Sequence, residues 1–94
     1  MKIVFKSDFE ARLNEILDFI AAHSKAAATR FHAELFEQIA KIPQMPFRFR
    51  KNELVSDESV RDLIFKGYVV VFKVQSDKII VLSIYKHNLW RGIS

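Results

Sequence analysis

From Phe9 to Ile42 the apolar residues recur at helical spacing, and from Val60 onward at strand spacing; this change of period, marked by Pro43, most constrains the fold. Phe9, Leu13, Ile16, Leu17 and Ile20 share one helical face, while Arg12, Glu15 and Asp18 lie elsewhere around the cylinder. The pattern breaks after Ala22 at His23-Ser24, and Lys25-Ala26-Ala27-Ala28 restarts it with strong helix formers. The second stripe is Ala28, Phe31, Leu35, Ile39 and Ile42, widened by Phe36 and Ala40. Ser24 is the expected N-cap of this second helix, and Ser7 with Glu10 the expected capping box of the first, where Asp8 adds a favourable charge. Pro43 has no N–H to donate and sets the second helix's end. Two amphipathic helices joined by so short a turn fold back as a hairpin.

A hairpin of two helices buries too little alone and needs a sheet to cover. Lys2 to Lys6 alternates charged and apolar residues, with Ile3 and Phe5 on one side, and reads as an N-terminal strand. Val60 to Lys66, Tyr68 to Val74 and Lys78 to Tyr85 are three further strands, joined by turns at Lys66-Gly67 and Gln75-Ser76-Asp77. Turns this short make neighbours antiparallel. The expected architecture is α+β: an N-terminal strand, a two-helix hairpin, then a three-strand antiparallel meander, all in one sheet and one domain spanning residues 1–94. Pro43 to Ser59 reads as a loop, with an extended piece at Phe47 to Phe49; its length suits a functional segment.

Composition narrows the function classes. Half of the 94 residues are apolar, nine of them Phe, with two Gly and two Pro, which excludes a disordered or collagen-like chain. There is no Cys, so neither a disulfide nor a thiolate metal site supports the fold, in keeping with a reducing cytoplasm. The three His (His23, His32 and His87) lack metal-ligand spacing, and no cofactor is expected. No apolar run is long enough for a membrane helix, and the opening residues are interrupted too early for a signal peptide. A formal charge of +4 and a pI near 9.6 point to anionic partners, nucleic acid or an acidic protein segment.

Candidate binding residues follow from two features. Arg48, Arg50 and Lys51 cluster in the long loop and are either a solvated stretch or an anion-binding strip. The last two strands are apolar on both sides: Tyr68, Val70, Phe72 and Val74 oppose Val69, Val71 and Lys73, and Ile80, Leu82 and Ile84 oppose Ile79, Val81, Ser83 and Tyr85. A half-buried strand carries one polar face. The surplus is covered either by the tail Asn88 to Ser94, with Leu89 and Trp90 folded back, or by a partner chain seated on Val69, Val71, Lys73, Ile79, Val81 and Trp90. His23 in the interhelix turn is suited to satisfying helix carbonyls, and Gly67 to supplying a turn.

The order of these elements and their local words resemble the RelE/ParE superfamily of toxins. The segment Arg30-Phe31 to Ile42-Pro43, then Val60-Arg61-Asp62-Leu63-Ile64-Phe65-Lys66-Gly67-Tyr68, then Val69 to Val74 and Ile80-Val81-Leu82, carry the likeness, which spans essentially the whole chain and is closest to the ParE-type plasmid-stabilisation branch. The resemblance implies the toxin of a bacterial type II toxin–antitoxin pair, cytoplasmic, neutralised by a cognate antitoxin with an acidic amphipathic C-terminal region. ParE-like members inhibit DNA gyrase without cutting nucleic acid; RelE-like members cut messenger RNA on the ribosome. Cutting RNA needs a group to activate the 2′-OH, an acid for the leaving oxygen and cations for the transition-state charge. Under the nuclease reading Arg61, Tyr85, Lys86 and His87 are the catalytic candidates, with the His87 imidazole as acid or base. Against it stands Val69, where nucleases of the superfamily often carry a second sheet arginine. Gyrase is therefore the expected target, with the ribosome and messenger RNA as the alternative.

Overall fold

A computed structural model describes residues 1–87. The chain runs β1 (Lys2–Phe5), α1 (Ser7–Ala21), α2 (Lys25–Ala40), two 3-10 turns (Ile42–Gln44 and Pro46–Arg48), β2 (Arg50–Lys51), β3 (Val60–Phe65), β4 (Tyr68–Val74) and β5 (Lys78–Lys86). Among the described residues the five strands form one sheet in the order β1-β5-β4-β3-β2. The β3–β4–β5 meander is antiparallel, and β1 joins its outer edge parallel to β5, Ile3 opposite Ile79 and Phe5 opposite Val81. Parallel neighbours need a long connection, and the helix hairpin supplies part of it.

The hairpin and meander agree with the sequence expectation, while the loop after α2 differs from it. Phe47 is in a 3-10 turn rather than an extended piece, and the extended residues are Arg50 and Lys51, which pair with Asp62 and Arg61 as a fifth, two-residue strand. The helix ends differ from each other. Ser24 caps α2, its hydroxyl accepting the Ala27 N–H at 3.0 Å. The Ser7 capping box does not form: Lys6 is the N-cap residue of α1, and no side chain caps it. The Lys6 N–H donates to the Val81 carbonyl at 2.9 Å, so strand pairing persists to the residue before the helix and Ser7 is carried inside the first turn. Asp8 in that turn pairs with Arg12 at 3.1 Å.

Helices cover one face of the sheet. Phe9 and Leu13 of α1, Phe31, Leu35 and Ile39 of α2 and Ile42 beyond it pack on Leu63, Phe65, Val70, Phe72, Val74, Ile79, Val81 and Ile84. Aromatic pairs link the layers: Phe5–Phe9 at 5.4 Å between ring centroids, Phe31–Phe65 at 5.3 Å and Phe49–Phe72 at 5.4 Å, distances at which ring pairs add to plain area burial. At the β3–β4 turn Lys66 and Gly67 both have positive φ (48° and 84°), the primed geometry that matches the twist of a two-residue hairpin.

Candidate functional site

A β-bulge decides which side chains reach the sheet's second face. Between β4 and β5 the register shifts at Val71/Phe72: Val71 faces Ser83 but Phe72 faces Val81, leaving Leu82 as the surplus residue. Strict alternation along β5 is thereby lost. Ile79, Val81 and Ile84 all turn to the helices, where each is fully buried. This corrects the assignment of Ile79 and Val81 to a partner-binding surface, because core packing already occupies them. Val69 is on the other face, between Ile64 and Tyr85 on the ladder and away from the helices, and is fully buried there, so it offers no exposed surface. Val71 and Lys73 do remain partly exposed there, with Lys73 paired to Asp57 at 3.3 Å. Trp90 and Leu89 lie outside the described residues.

The same far face holds a buried polar cluster that sequence reasoning missed. Asp62 is 4% exposed, and its carboxylate accepts from Asn52 Nδ2 at 2.8 Å and Arg50 Nε at 3.1 Å. A buried carboxylate without such partners would cost several kcal/mol, on the order of what breaking a buried pair costs. Asn52 completes the loop's anchor, its own N–H donating to Val60 and its side-chain oxygen accepting from Leu54. An aspartate inside the apolar word Val60 to Phe65 was the available signal, since Asp is rarely buried unpaired. Burial, followed by the negative charge of Asp62, pushes the Tyr85 phenol above its usual range, with Arg50 opposing weakly. At neutral pH that phenol stays protonated.

The four candidate nuclease residues are not brought together. Arg61 pairs across the sheet with Phe72, on the helix-facing side, whereas Tyr85 pairs with Val69 on the other. Arg61 is turned toward the loop: Nε donates to the Glu58 carbonyl at 2.8 Å, and Nη1 donates to the carbonyls of Phe47 and Phe49, both at 3.0 Å. Its guanidinium also sits 4.9 Å from the centre of the Phe47 ring. Lys86 lies opposite Tyr68 with its ammonium 5.7 Å from that ring, and the His87 backbone N–H extends the ladder to the Gly67 carbonyl at 2.8 Å. The sheet thus separates Arg61 from Tyr85.

The three loop cations have separate settings. Arg50 is held by Asp62, Lys51 reaches Glu58 at 3.5 Å, and Arg48 Nη1 donates to the Met45 sulfur at 3.9 Å. Around them Met45, Phe47, Leu54 and Val55 are the exposed large apolar residues of the loop, Leu54 the most open at 80%. His23 does what its position suggested, Nδ1 lying 3.4 Å from the Phe19 carbonyl. Among the described residues no helix is long and apolar enough to cross a membrane.

A helix hairpin on one face of a β1-β5-β4-β3-β2 sheet is the fold of the RelE/ParE superfamily. Residues 3–88 match the ParE toxin of type II toxin-antitoxin systems (parDE), and the chain belongs to that family. Among solved structures it is similar to a chain of the chromosomal ParDE TA system from P. aeruginosa (TM-score 0.73, 19% identity, covering 92% of this chain and 95% of that one). It is also similar to a conserved hypothetical protein from Helicobacter pylori known from its solution structure (TM-score 0.55, 18% identity, covering 96% and 99%). At these identities the likeness is one of fold. No curated protein sequence matches the chain. Family membership makes it a type II toxin and implies an antitoxin as its partner.

Proposed function

We propose that this toxin inhibits DNA gyrase without itself cutting nucleic acid, acts in the bacterial cytoplasm, and is held inactive by an antitoxin with an acidic amphipathic C-terminal region. The observation that carries the reading is the placement of Arg61. This residue stands where the RNA-cutting branch has a sheet arginine, but its Nε and Nη1 are turned to the carbonyls of Glu58, Phe47 and Phe49. Tyr85 lies on the opposite face with its phenol held protonated, and Val69 supplies no second cation. A poison built from these parts acts through its surface. The basic charge of the whole chain and the exposed loop residues Met45, Phe47, Arg48 and Leu54 give that surface its character.

The two readings differ in what stops first when the toxin is induced without antitoxin. Pulse-labelling with thymidine and with methionine separates them in living cells. Gyrase inhibition halts DNA synthesis while protein synthesis continues for a generation or so. Methionine incorporation collapsing within minutes, ahead of thymidine, would instead mark a ribosome-dependent nuclease and overturn the proposal.

A further inference from the structure

We propose that the tip of the loop between β2 and β3, Glu53 to Ser56, is a preformed knob that seats Leu54 in an apolar, cation-rimmed pocket of the toxin's protein target. Leu54 is 80% exposed and Val55 beside it 48%, so two aliphatic side chains stand next to each other in water. A single exposed leucine is ordinary on any protein. What sets this one apart is the number of ties that hold it still. The Leu54 N–H donates to the Asn52 side-chain oxygen at 2.9 Å, and Asn52 Nδ2 donates in turn to the buried Asp62 at 2.8 Å. On the loop's other leg Asp57 accepts from the Ser59 N–H and hydroxyl at 2.9 and 2.6 Å and pairs with Lys73 at 3.3 Å. Lys51 and Glu58 bridge the two legs at 3.5 Å.

Strand β3 grips this loop from both sides. Arg61 and Asp62 are neighbours in an extended strand and project to opposite faces. Arg61 holds the Phe47, Phe49 and Glu58 carbonyls on one face, while Asp62 holds Arg50 and Asn52 on the other. A buried ion pair of this kind adds little stability over an apolar residue of similar size, so Asp62 is better explained by the backbone it fixes than by the energy it contributes. A loop fixed beforehand loses little freedom on association, which favours a tip that binds over one that only connects. Charge decides the class of partner. From Glu53 to Glu58 the chain has three carboxylates and no cation, on a molecule of net charge +4. Lys73 and Lys51 balance Asp57 and Glu58, which leaves Glu53, next to Leu54, as the tip's surplus negative charge. A nucleic-acid backbone is repelled there, and so is the acidic antitoxin segment proposed above; a protein pocket with an aliphatic floor and a cation at its rim satisfies both residues. The inference rests on the gyrase reading for the identity of the target, and on the loop alone for the residues that meet it.

The test is supercoiling of relaxed plasmid by purified gyrase with wild-type toxin and tip variants, each checked for the unchanged melting temperature that the exposure of these side chains predicts. Leu54→Asp should raise the toxin concentration for half-inhibition roughly 10-fold or more, Glu53→Lys roughly 3–10-fold, and Leu54→Met less than about 3-fold, the pattern of one aliphatic anchor beside a charged rim. Glu37→Lys, the same charge change on an exposed position of α2, should inhibit like wild type. Leu54→Asp inhibiting as well as wild type overturns the proposal, as does a wild-type dimer that this variant abolishes, which assigns the tip to a second copy of the chain. Wild-type toxin that leaves supercoiling intact removes gyrase as the target and not the knob. Growth on induction without antitoxin then decides: arrest by wild type and not by Leu54→Asp at equal soluble level supports the knob, and equal arrest, or none by either, overturns it.

Discussion

Replacing Arg61 by alanine removes three hydrogen bonds at once, to the carbonyls of Glu58, Phe47 and Phe49 at 2.8, 3.0 and 3.0 Å. A bond from a charged donor is worth roughly 1.5–3 kcal/mol net, so three would sum to somewhere between about 4 and 9. Two effects reduce that figure. Arg61 is only partly buried, so water reaches the abandoned carbonyls, and truncation removes about 2 kcal/mol of side-chain ordering. Loss of the Phe47 contact adds back about 0.5 kcal/mol. The expected destabilisation is about 2–3 kcal/mol, read by urea denaturation, with faster amide exchange from Phe47 to Val60. Arg61→Lys keeps the charge without the planar fork and should recover less than half of the loss. An alanine variant within 0.5 kcal/mol of wild type, or a lysine variant equal to it, would refute the reasoning and return Arg61 to the list of free, potentially catalytic groups.

Other perturbations probe separate parts of the fold. Ser24→Ala deletes the cap on the Ala27 N–H and should lower stability by about 1 kcal/mol, measured by thermal denaturation. Gly67→Ala puts a Cβ into open space but at a φ of 84°, so the penalty is backbone strain alone, about 1 kcal/mol, and the crystal or solution structure should show no repacking. Acid should destabilise the protein through three carboxylates held below their usual range: Asp8 chiefly by the Ser83 hydroxyl, Glu34 by Lys66 and Asp57 by Ser59. Their folded values are depressed, so their contribution is present above the unfolded carboxylate range near pH 4 and is lost as pH falls through the folded values. Carbon-13 titration of the three carboxyls, midpoints below those of model peptides, checks the sign.

Periodicity made the helix hairpin and the meander legible, because every side chain in a stripe reports on its own element. What it could not carry was pairing between distant segments. Arg50 and Lys51 are too short a run to show alternation, and only Asp62 and Arg61, ten or more residues on, make them a strand. The bulge at Leu82 was hidden for another reason: Ile79 to Leu82 are all apolar, so either face assignment read equally well until the register with β4 was known. That one surplus residue moved Ile79 and Val81 from the imagined binding surface into the core. Ser7 looked like a cap because its local word was right, and the strand pairing at Lys6 overrode it. The partners of Arg61 lie up to 14 residues away in the chain, and nothing local distinguishes a clamp from a catalyst.

The proposal that the toxin poisons gyrase through its surface is tested most directly by supercoiling of relaxed plasmid with purified gyrase and a molar excess of folded toxin. Supercoiling should be inhibited by wild type and equally by the Tyr85→Phe/His87→Ala variant, since neither side chain takes part in chemistry on that account. Full supercoiling in the presence of folded wild-type toxin, or inhibition that disappears in the variant, would contradict it.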